Sequence, residues 1–499
     1  MINYSTTPLG SSNWNAQTAR HLLNRAGFGG TPVQVEALRA MGLDGAVDYL
    51  LTFGARATPA ESLAGEPFDP SIRRPLTDEE RATFQQARQS NSDAAREQLQ
   101  KLRNQQDALD RAQMQEIQKW WLRRLIETGR PLEEKMTLFW HGHFATGYRT
   151  IEDSYHMLAQ NELFRTHAVG NFADLVLRIL RDPAMLKYLD NDESRKGRPN
   201  ENLARELMEL FVLGEGNGYT ESDIKEGARA LTGFTFEDDT FRFAANNHDG
   251  DRKTILGQTG NWDGDDFARI ILSRRETSEF LCGKLYRFLV NDAPGMPDSK
   301  SKPFVAALAA ELRKQQYELK PVLRMLFRSQ HFYDAANRGA VIKSPTQLIV
   351  GTIRQLGTPA RELSSLNAAG DLMGQSLFMP PNVKGWDGGQ SWINTSTYFV
   401  RQNLAVYLIT GLRPDAFDWD ADLATWDTSA LEQALGRATG GDASKEPDAL
   451  LDLVLALDAS AERRAQFRAF TTGLGGPLTG SRLVAALCLV TALPEYQLC

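Results

Sequence analysis

Apolar residues recur at helical spacing along most of the 499-residue chain, as in the stripe formed by Leu203, Leu207 and Leu210. The pattern changes after residue 233, where Phe234 to Phe243 alternates phenylalanine with polar residues around an acidic turn, typical of two strands joined tightly. The chain is therefore predicted to be mainly α, a large multi-helix globular domain with a small β-hairpin near residues 234–256.

Composition divides the predicted helices into four regions. Residues 1–75 form an N-terminal helical segment that packs on the core, with one helix starting at the N-cap Thr31 and Pro32 and a Pro/Gly-rich surface loop at 54–75. Residues 76–118 are a polar helical insertion, predicted to be exposed and mobile. Residues 119–357 form the central helical region with the candidate site, and residues 358–499 a C-terminal helical region with a Trp/Gly loop.

Charge and apolar content exclude several classes of protein. The net charge of −7 gives no overall attraction to nucleic acid. No apolar run approaches the ~20 residues of a membrane helix, so no membrane span is predicted. The chain starts without a basic segment followed by an apolar run, which predicts a cytoplasmic protein as written. A mature exported form would look the same, so the compartment is left open.

The first candidate for chemistry is a pair of imidazoles, His141 and His143, separated by Gly142. On a regular helix the two rings would diverge by about 200°, but a helix end at Gly142 would let them converge on a metal. The alternative is two hydrogen-bonded histidines packed at a helix end.

The second candidate is the helix predicted at 199–210, whose polar residues flank the leucine stripe. Glu206 and Glu209, three residues apart, are predicted as metal ligands or as an acid/base pair, with Arg205 in the same catalytic set to orient substrate or ligands. Asn200 and Asn202 would orient substrate, with Asn200 also a plausible N-cap. The alternative is a capped amphipathic helix whose Arg205 forms ordinary i, i+4 ion pairs.

Five of the seven histidines lie within about 110 residues of one another. Among them, His248 next to Asp249 in a turn is the third predicted metal ligand, although such a pair is commonly a turn feature. His156 and His167 lie inside a predicted helix and are interpreted as structural. The sequence has no dinucleotide-binding, Walker, zincin or di-iron motif.

A loop rich in Gly, Pro and Trp spans residues 378–392. Trp386 and Trp392, set among Gly, Asn and Gln residues, are predicted to bind substrate by stacking on a sugar ring. The alternative is a rigid loop whose tryptophans pack onto the helical core.

Several segments resemble the bacterial family catalogued as domain of unknown function 1800, over nearly the whole chain except residues 77–118. The resemblance rests on these runs, in order: RHLLNRAGFGGTP, WHGHF, PAMLKYLDN, PNENLARELMELFVLG, GYTESDIKEGARALTGF, the His248-Asp249 turn, and PPNVKGW followed by Trp392-Ile393-Asn394. The resemblance implies a bacterial protein, export in many members, and an alkaline-phosphatase-like protein partner from the family's gene neighbourhood. It implies no reaction, but its signature segments coincide with the block of His, Asn and Glu described above.

Together these observations favour a metal-dependent enzyme with a His/carboxylate centre, a hydrolase marginally ahead of an oxidoreductase. A divalent metal ion of undetermined identity is its predicted cofactor, and a small molecule or a polysaccharide its predicted substrate. The rival hypothesis is a non-catalytic accessory protein that binds a polysaccharide or a partner, in which the same His and Glu residues form a buried polar network. The two hypotheses differ in whether the candidate side chains converge in space.

Overall fold

A computed structural model describes residues 5–52, 68–72, 76–89 and 93–499. Most of the loop predicted at 54–75 lies outside these residues. The helix predicted to start at Thr31 and Pro32 does start there, with Thr31 as its N-cap. The Thr31 hydroxyl accepts from the Gln34 N–H, and the Gln34 side chain accepts from the Thr31 N–H.

The helices of the first half of the chain are these: α1 Ala16–Arg25, α2 Pro32–Ala40, α3 Gly42–Leu51, α4 Asp78–Gln89, α5 Asp93–Glu127, α6 Pro131–His143, α7 Tyr148–Ile151, α8 Ser154–Thr166, α9 Phe172–Ile179, α10 Pro183–Tyr188, α11 Asn202–Glu206 and α12 Glu221–Ala230. A π-helical turn, Leu207–Phe211, continues α11.

The helices of the second half are these: α13 Gly264–Leu272, α14 Arg275–Leu289, α15 Lys302–Lys314, α16 Leu319–Arg328, α17 Pro345–Leu356, α18 Leu363–Leu372, α19 Thr395–Thr410, α20 Ser429–Thr439, α21 Glu446–Val454, α22 Ala461–Gly473 and α23 Gly480–Ala492. Short 3₁₀ turns occur at Ser11–Asn13, Asn191–Glu193, Ala245–Asn247, Ala335–Asn337, Gly389–Trp392, Ala443–Lys445 and Pro494–Gln497.

Two antiparallel two-stranded sheets interrupt the helices, β1 Phe234–Glu237 with β2 Thr240–Phe243 and β3 Lys253–Ile255 with β4 Gln258–Gly260. In the first, Phe234 pairs with Phe243 and Phe236 with Phe241, so the predicted hairpin is confirmed with Asp238 and Asp239 as its turn. The mainly α fold predicted from the sequence is likewise confirmed.

The apolar core has two parts. The first is formed mainly by α1 to α3, α9 to α16 and one side of α6. The second is formed mainly by the C-terminal half of α5 together with the helices from α17 through α23. Helix α6 supplies residues to both, with Phe139 and Trp140 in the first part and Leu138 in the second. Twelve of its thirteen residues are buried, so α6 lies between the two parts of the core.

The polar insertion is less separate than its composition predicts. Helix α5 runs unbroken across the boundary predicted between residues 118 and 119, and Asp110 and Gln113 are buried in it. Asp110 accepts hydrogen bonds from the Tyr148 hydroxyl at 2.7 Å and from the Ser154 N–H at 2.8 Å. These contacts fasten the second half of the insertion to α7 and α8.

None of the described helices combines the length and apolar content needed to cross a membrane.

Candidate functional site

A cavity of about 600 Å³ lies beside α6, where the two parts of the core meet. Its walls come from α1, α6, α14, the start of α17, the loop 384–392 and Cys499. A cavity of this volume is the size of pockets that bind small organic ligands.

A close crossing of backbones joins two walls of the cavity. A Cβ atom added to Gly385, whose φ is +83°, would overlap the carbonyl oxygen of Gly142 on α6. The side chain of Trp386 then lies over Gly142, its Cε3 atom 3.5 Å from where a Cβ would stand. Glycine is therefore required at Gly385 by both conformation and contact. Gly142 gives Trp386 room beside the helix.

Several cations face the cavity. Arg25 and Lys135 are buried and Lys284 is half-buried, whereas Arg287 and Lys384 are exposed. These five compare with four negative partners, Glu279, Asp292, Asp387 and Cys499, the last of which opposes the burial that lowers the pKa of Arg25 and Lys135. The cavity therefore has a surplus of positive charge.

Lys135 and Lys284, the two cavity lysines that lie on helices, each contact an aromatic ring and donate to one acceptor. Lys135 donates to Gln347 Oε1, and its Nζ lies 5.0 Å from the Phe28 ring centroid. Lys284 donates to the Leu210 carbonyl at 2.9 Å, with Nζ 4.9 Å from the Phe280 ring. Burial lowers the pKa of each amine to about 8, so both remain mainly protonated at neutral pH.

Three polar atoms around the cavity are buried without a hydrogen-bond partner in the described structure: Arg25 Nη2, Trp386 Nε1 and His143 Nδ1. The first two are donors, and a buried donor without a partner costs about 1–3 kcal/mol. All three atoms belong to residues that line the cavity, so its wall contains polar groups that the protein itself leaves unsatisfied.

His143, Trp386 and Trp392 are the predicted site residues that the structure brings together, all three in the cavity wall. His143 Nε2 lies 2.7 Å from the Phe211 carbonyl, so Nε2 carries the hydrogen and Nδ1 keeps its lone pair. Burial, and then the charge of Lys284, lower the pKa of His143 well below its ordinary value. His143 is thus a neutral imidazole.

His141 does not converge with His143, because α6 stays helical through both positions. Its ring packs against Trp121, Phe164 and Phe378, and its Nε2 accepts from the Asn161 amide at 3.0 Å. Burial lowers the pKa of His141 to about 3. His141 belongs to a buried polar network on the side of α6 away from the cavity.

That network is centred on Glu134. Its carboxylate accepts from Arg124 Nε at 2.5 Å, from Arg165 Nε at 2.7 Å and from Trp121 Nε1 at 2.9 Å. Arg165 donates in turn to Asn161 Oδ1 at 2.6 Å, and Asn161 holds His141. The hypothesis of a non-catalytic accessory protein predicts a buried polar network of this kind, and His141 lies in it.

The acidic residues of the 199–210 segment lie apart from the cavity wall. Arg205 forms ion pairs with Glu201 at 3.1 Å, Glu209 at 3.3 Å and Glu221 at 2.8 Å, the arrangement expected of an ion-paired helix face. Glu206 is half-buried, and its Oε2 has no hydrogen-bond partner in the described structure. Burial and Glu209 raise the pKa of Glu206, against the charges of Arg205 and Lys384.

Asn200 and Asn202 contact the loop before α11 rather than the cavity. Asn200 Oδ1 accepts from the Asn202 N–H at 2.9 Å, and both side-chain amides approach Asp190 at 3.3 and 3.4 Å. The helix starts at Asn202, two residues after Asn200 and later than the predicted cap would place it. Their predicted substrate-binding role has no support in these contacts.

The backbone of this segment does reach two residues that line the cavity. The π-helical turn at Leu207–Phe211 directs the Leu210 carbonyl to Lys284 and the Phe211 carbonyl to His143. π-Helical turns inside helices are frequent at functional sites. The segment therefore serves the cavity through main-chain oxygens, a contribution that side-chain patterns do not reveal.

His248 lies beside the first hairpin, where its Nδ1 is 2.9 Å from the Thr232 carbonyl and its ring packs on Phe243. Among the residues the structure describes, one group of three His, Cys, Asp or Glu side chains is close enough to share a metal, Asp153, His156 and Asp239. None of the predicted metal ligands belongs to this group. It contains His156 instead, a residue for which the sequence predicts a structural role.

Three of the signature segments thus meet at α6. The WHGHF segment forms part of the α6 wall, the PPNVKGW segment crosses it, and the segment after Asn200 supplies carbonyls to it. A model of the family described as Protein of unknown function (DUF1800) matches residues 21–498. The chain belongs to the DUF1800 family. No curated protein and no solved structure shows significant similarity to this DUF1800 protein.

Sequence reasoning missed the cationic residues of this DUF1800 cavity. A signal was present: Lys284 interrupts the apolar run Phe280–Val290, and Arg25 lies on the apolar face of α1. Charged residues are seldom buried without a specific partner, so a cation inside an apolar stripe indicates a buried polar site.

Proposed function

We propose that this DUF1800 protein binds an anionic, hydroxyl-bearing small molecule, such as an acidic sugar or the end of an acidic polysaccharide, in the cavity beside α6. The observation that carries the proposal is the coincidence of surplus positive charge with two buried donors, Arg25 Nη2 and Trp386 Nε1, that have no protein acceptor.

The rest of the wall suits a sugar. Trp386 and Trp392 offer aromatic faces, which pack on the C–H face of a sugar ring, while the amides of Gln347 and Gln375 supply neutral donors and acceptors for hydroxyls. Lys135 and Lys284 supply charge without a protein carboxylate hydrogen-bonded to them in the described contacts.

Calorimetric titration tests the proposal with matched probes: D-glucuronate, glucose 6-phosphate and neutral D-glucose. We expect saturable binding of an anionic probe and at least about tenfold weaker binding of glucose, because a charge-assisted hydrogen bond contributes about 1.5–3 kcal/mol. Lys284→Met should weaken binding of the anionic probe by about 10- to 100-fold.

Lys314→Met is the matched control, since Lys314 is exposed and pairs only with Glu311, at 3.5 Å, in the described ion pairs. Circular dichroism checks that both variants fold. The proposal is wrong if glucose binds as tightly as the anions, if none of the probes binds, or if the two lysine variants behave alike.

A metal-dependent enzyme is the second candidate, and one observation favours a catalytic role: His143 presents a neutral imidazole with an unpartnered Nδ1 beside the cavity. This lone pair suits a general base or a metal ligand. Elemental analysis of the wild type and of His143→Gln and Glu206→Gln tests the metal. A metal content unchanged in both variants would remove these residues as ligands.

The choice between a hydrolase and an oxidoreductase stays a prediction, as does the alkaline-phosphatase-like partner implied by the family. A cavity that binds an acidic sugar would serve either a hydrolase or an accessory protein that delivers polysaccharide to a partner.

A further inference from the structure

The turn of the first hairpin lies against the start of α8. Asp239 is the second residue of the β1–β2 turn, and Asp153 is the N-cap of α8, where its Oδ1 accepts from the His156 N–H at 3.0 Å. The imidazole of His156 lies between the two carboxylates. Its Nε2 is 3.0 Å from Asp239 Oδ1, and its Nδ1 is 3.9 Å from Asp153 Oδ2.

Two independent features distinguish this cluster from an ordinary ion pair. One ligand atom from each of the three residues can be chosen so that all lie within 4.8 Å of one another. In addition, His156 is only 4% exposed, and its Nδ1, on the side of Asp153, has no hydrogen-bond partner in the described structure.

The charges of the cluster call for a cation. Asp153, Asp239 and the nearby Asp182 carry three negative charges, against one positive charge on a protonated His156 and one on Arg81, which interacts with Asp239. A divalent ion would neutralise both carboxylates and leave the imidazole neutral, the form in which it ligates metals.

We propose that Asp153, His156 and Asp239 form a divalent-cation site, separate from the cavity. One imidazole nitrogen and two carboxylate oxygens suit Zn²⁺ or Mn²⁺, with water completing the coordination. Ligands about 2.1 Å from a tetrahedral ion lie about 3.4 Å apart, so closure requires side-chain movements of about 1 Å. The half-buried Asp153 and Asp239 side chains, 13% and 24% exposed, have room for it.

The site would fasten two segments of the chain together. Asp239 brings the hairpin, while Asp153 and His156 bring α8. Asp238, the other turn residue, pairs with Arg81 of α4 at 3.1 Å. A bound ion would therefore hold the hairpin against α8, beside the ion pair that already links the hairpin to α4. This structural role does not depend on the ligand proposed for the cavity.

Manganese binding followed by electron paramagnetic resonance, and Zn²⁺ binding followed by calorimetry, test the site on metal-stripped protein. We expect one equivalent to bind, with a higher Tm when the metal is present. Asp239→Asn and His156→Gln should each lower the affinity by at least about tenfold.

Asp238→Asn is the matched control, because it removes an equal charge one residue away in the same turn, and Asn tolerates the left-handed conformation found there (φ +54°). The control should bind metal as the wild type does. Asp153→Asn, which keeps the helix cap, is a second test if Asp239→Asn misfolds.

Absence of saturable metal binding in the wild type would overturn the proposal, and so would equal losses in Asp238→Asn and Asp239→Asn. Binding of D-glucuronate to His156→Gln gives a separate readout: it should be unchanged, so failure of the metal site and failure of the cavity function are told apart.

Discussion

Replacing Glu134 by Gln removes the anion that faces two guanidinium groups inside the protein. The Glu134 side chain is 0% exposed, and Arg165 and Arg124 beside it are 6% and 12% exposed. Glutamine keeps the shape and one acceptor oxygen but leaves both cations without this countercharge. We expect Glu134→Gln to be folded but strongly destabilised.

The size of the effect follows from the pKa of Glu134. Burial alone would raise this pKa, but Arg165 and Arg124 lower it from 4.5 to about 2. At 1.36 kcal/mol per pKa unit, the difference corresponds to about 3 kcal/mol of stability. Removing one partner of a buried ion pair typically costs about 3–5 kcal/mol, in agreement.

The direction of the pH dependence is fixed by the same values. Because the pKa of Glu134 is lower in the folded protein, its contribution is fully present above pH 4.5 and is lost as the pH falls toward about 2. The stability difference between wild type and Glu134→Gln should therefore narrow over that interval.

Urea unfolding at pH 7 measures the loss, with Glu162→Gln as control. Glu162 pairs with the same Arg165, at 2.7 Å, but its side chain is 46% exposed, so its loss should cost at most about 1 kcal/mol. If the two variants lose equal stability, the buried network does not contribute as argued here. A changed environment of His141 in the folded Glu134→Gln variant, seen by NMR, would show that the network positions that ring.

Four further outcomes are expected. Gly385→Ala should disrupt the crossing of loop and helix and abolish binding of D-glucuronate, measured by calorimetry. Gly440→Ala is the control, because Gly440 is in the left-handed helical region (φ +65°, ψ 24°) with open space around its Cβ; it should cost only about 1 kcal/mol in urea unfolding and leave binding unchanged. Asp110→Ala should cost about 2–3 kcal/mol in urea unfolding, since it removes an acceptor from a buried N–H and from a buried hydroxyl, and Asp107→Ala on the exposed face should cost almost nothing. Affinity for anionic probes should fall between pH 7 and pH 9, because Lys135 and Lys284 lose their charge near pH 8. An affinity that calorimetry finds constant over this pH range would contradict the prediction. Cys282, 0% exposed and with its pKa raised by burial, should react with a thiol reagent in urea but not in the native protein.

Much of the fold could be predicted because it depends on local patterns. The Thr31-Pro32 helix start and the Phe234–Phe243 hairpin each depend on residues within ten positions of one another. The boundary at residue 118 was harder to locate, because the burial of Asp110 involves contacts with Tyr148 and Ser154, far along the chain.

The candidate site was predictable only in part. Trp386, Trp392 and His143 were found because unusual residues mark their segments, but the segments meet through the contact of Gly385 with Gly142, 243 positions apart in sequence. Whether His141 or His156 is the better candidate metal ligand depends on what surrounds each ring. Sequence spacing favoured His141, whereas the turn that brings Asp239 to His156 is distant along the chain.

The enclosure of α6 has a consequence for how a ligand would enter and leave. Since twelve of its thirteen residues are buried between the two parts of the core, the helix cannot shift without disturbing both. Lys384 and Asp387, on the loop that crosses the helix, are exposed. We therefore expect the helix to set the shape of the binding surface, and substitutions of these two exposed residues to change association and dissociation rates more than selectivity.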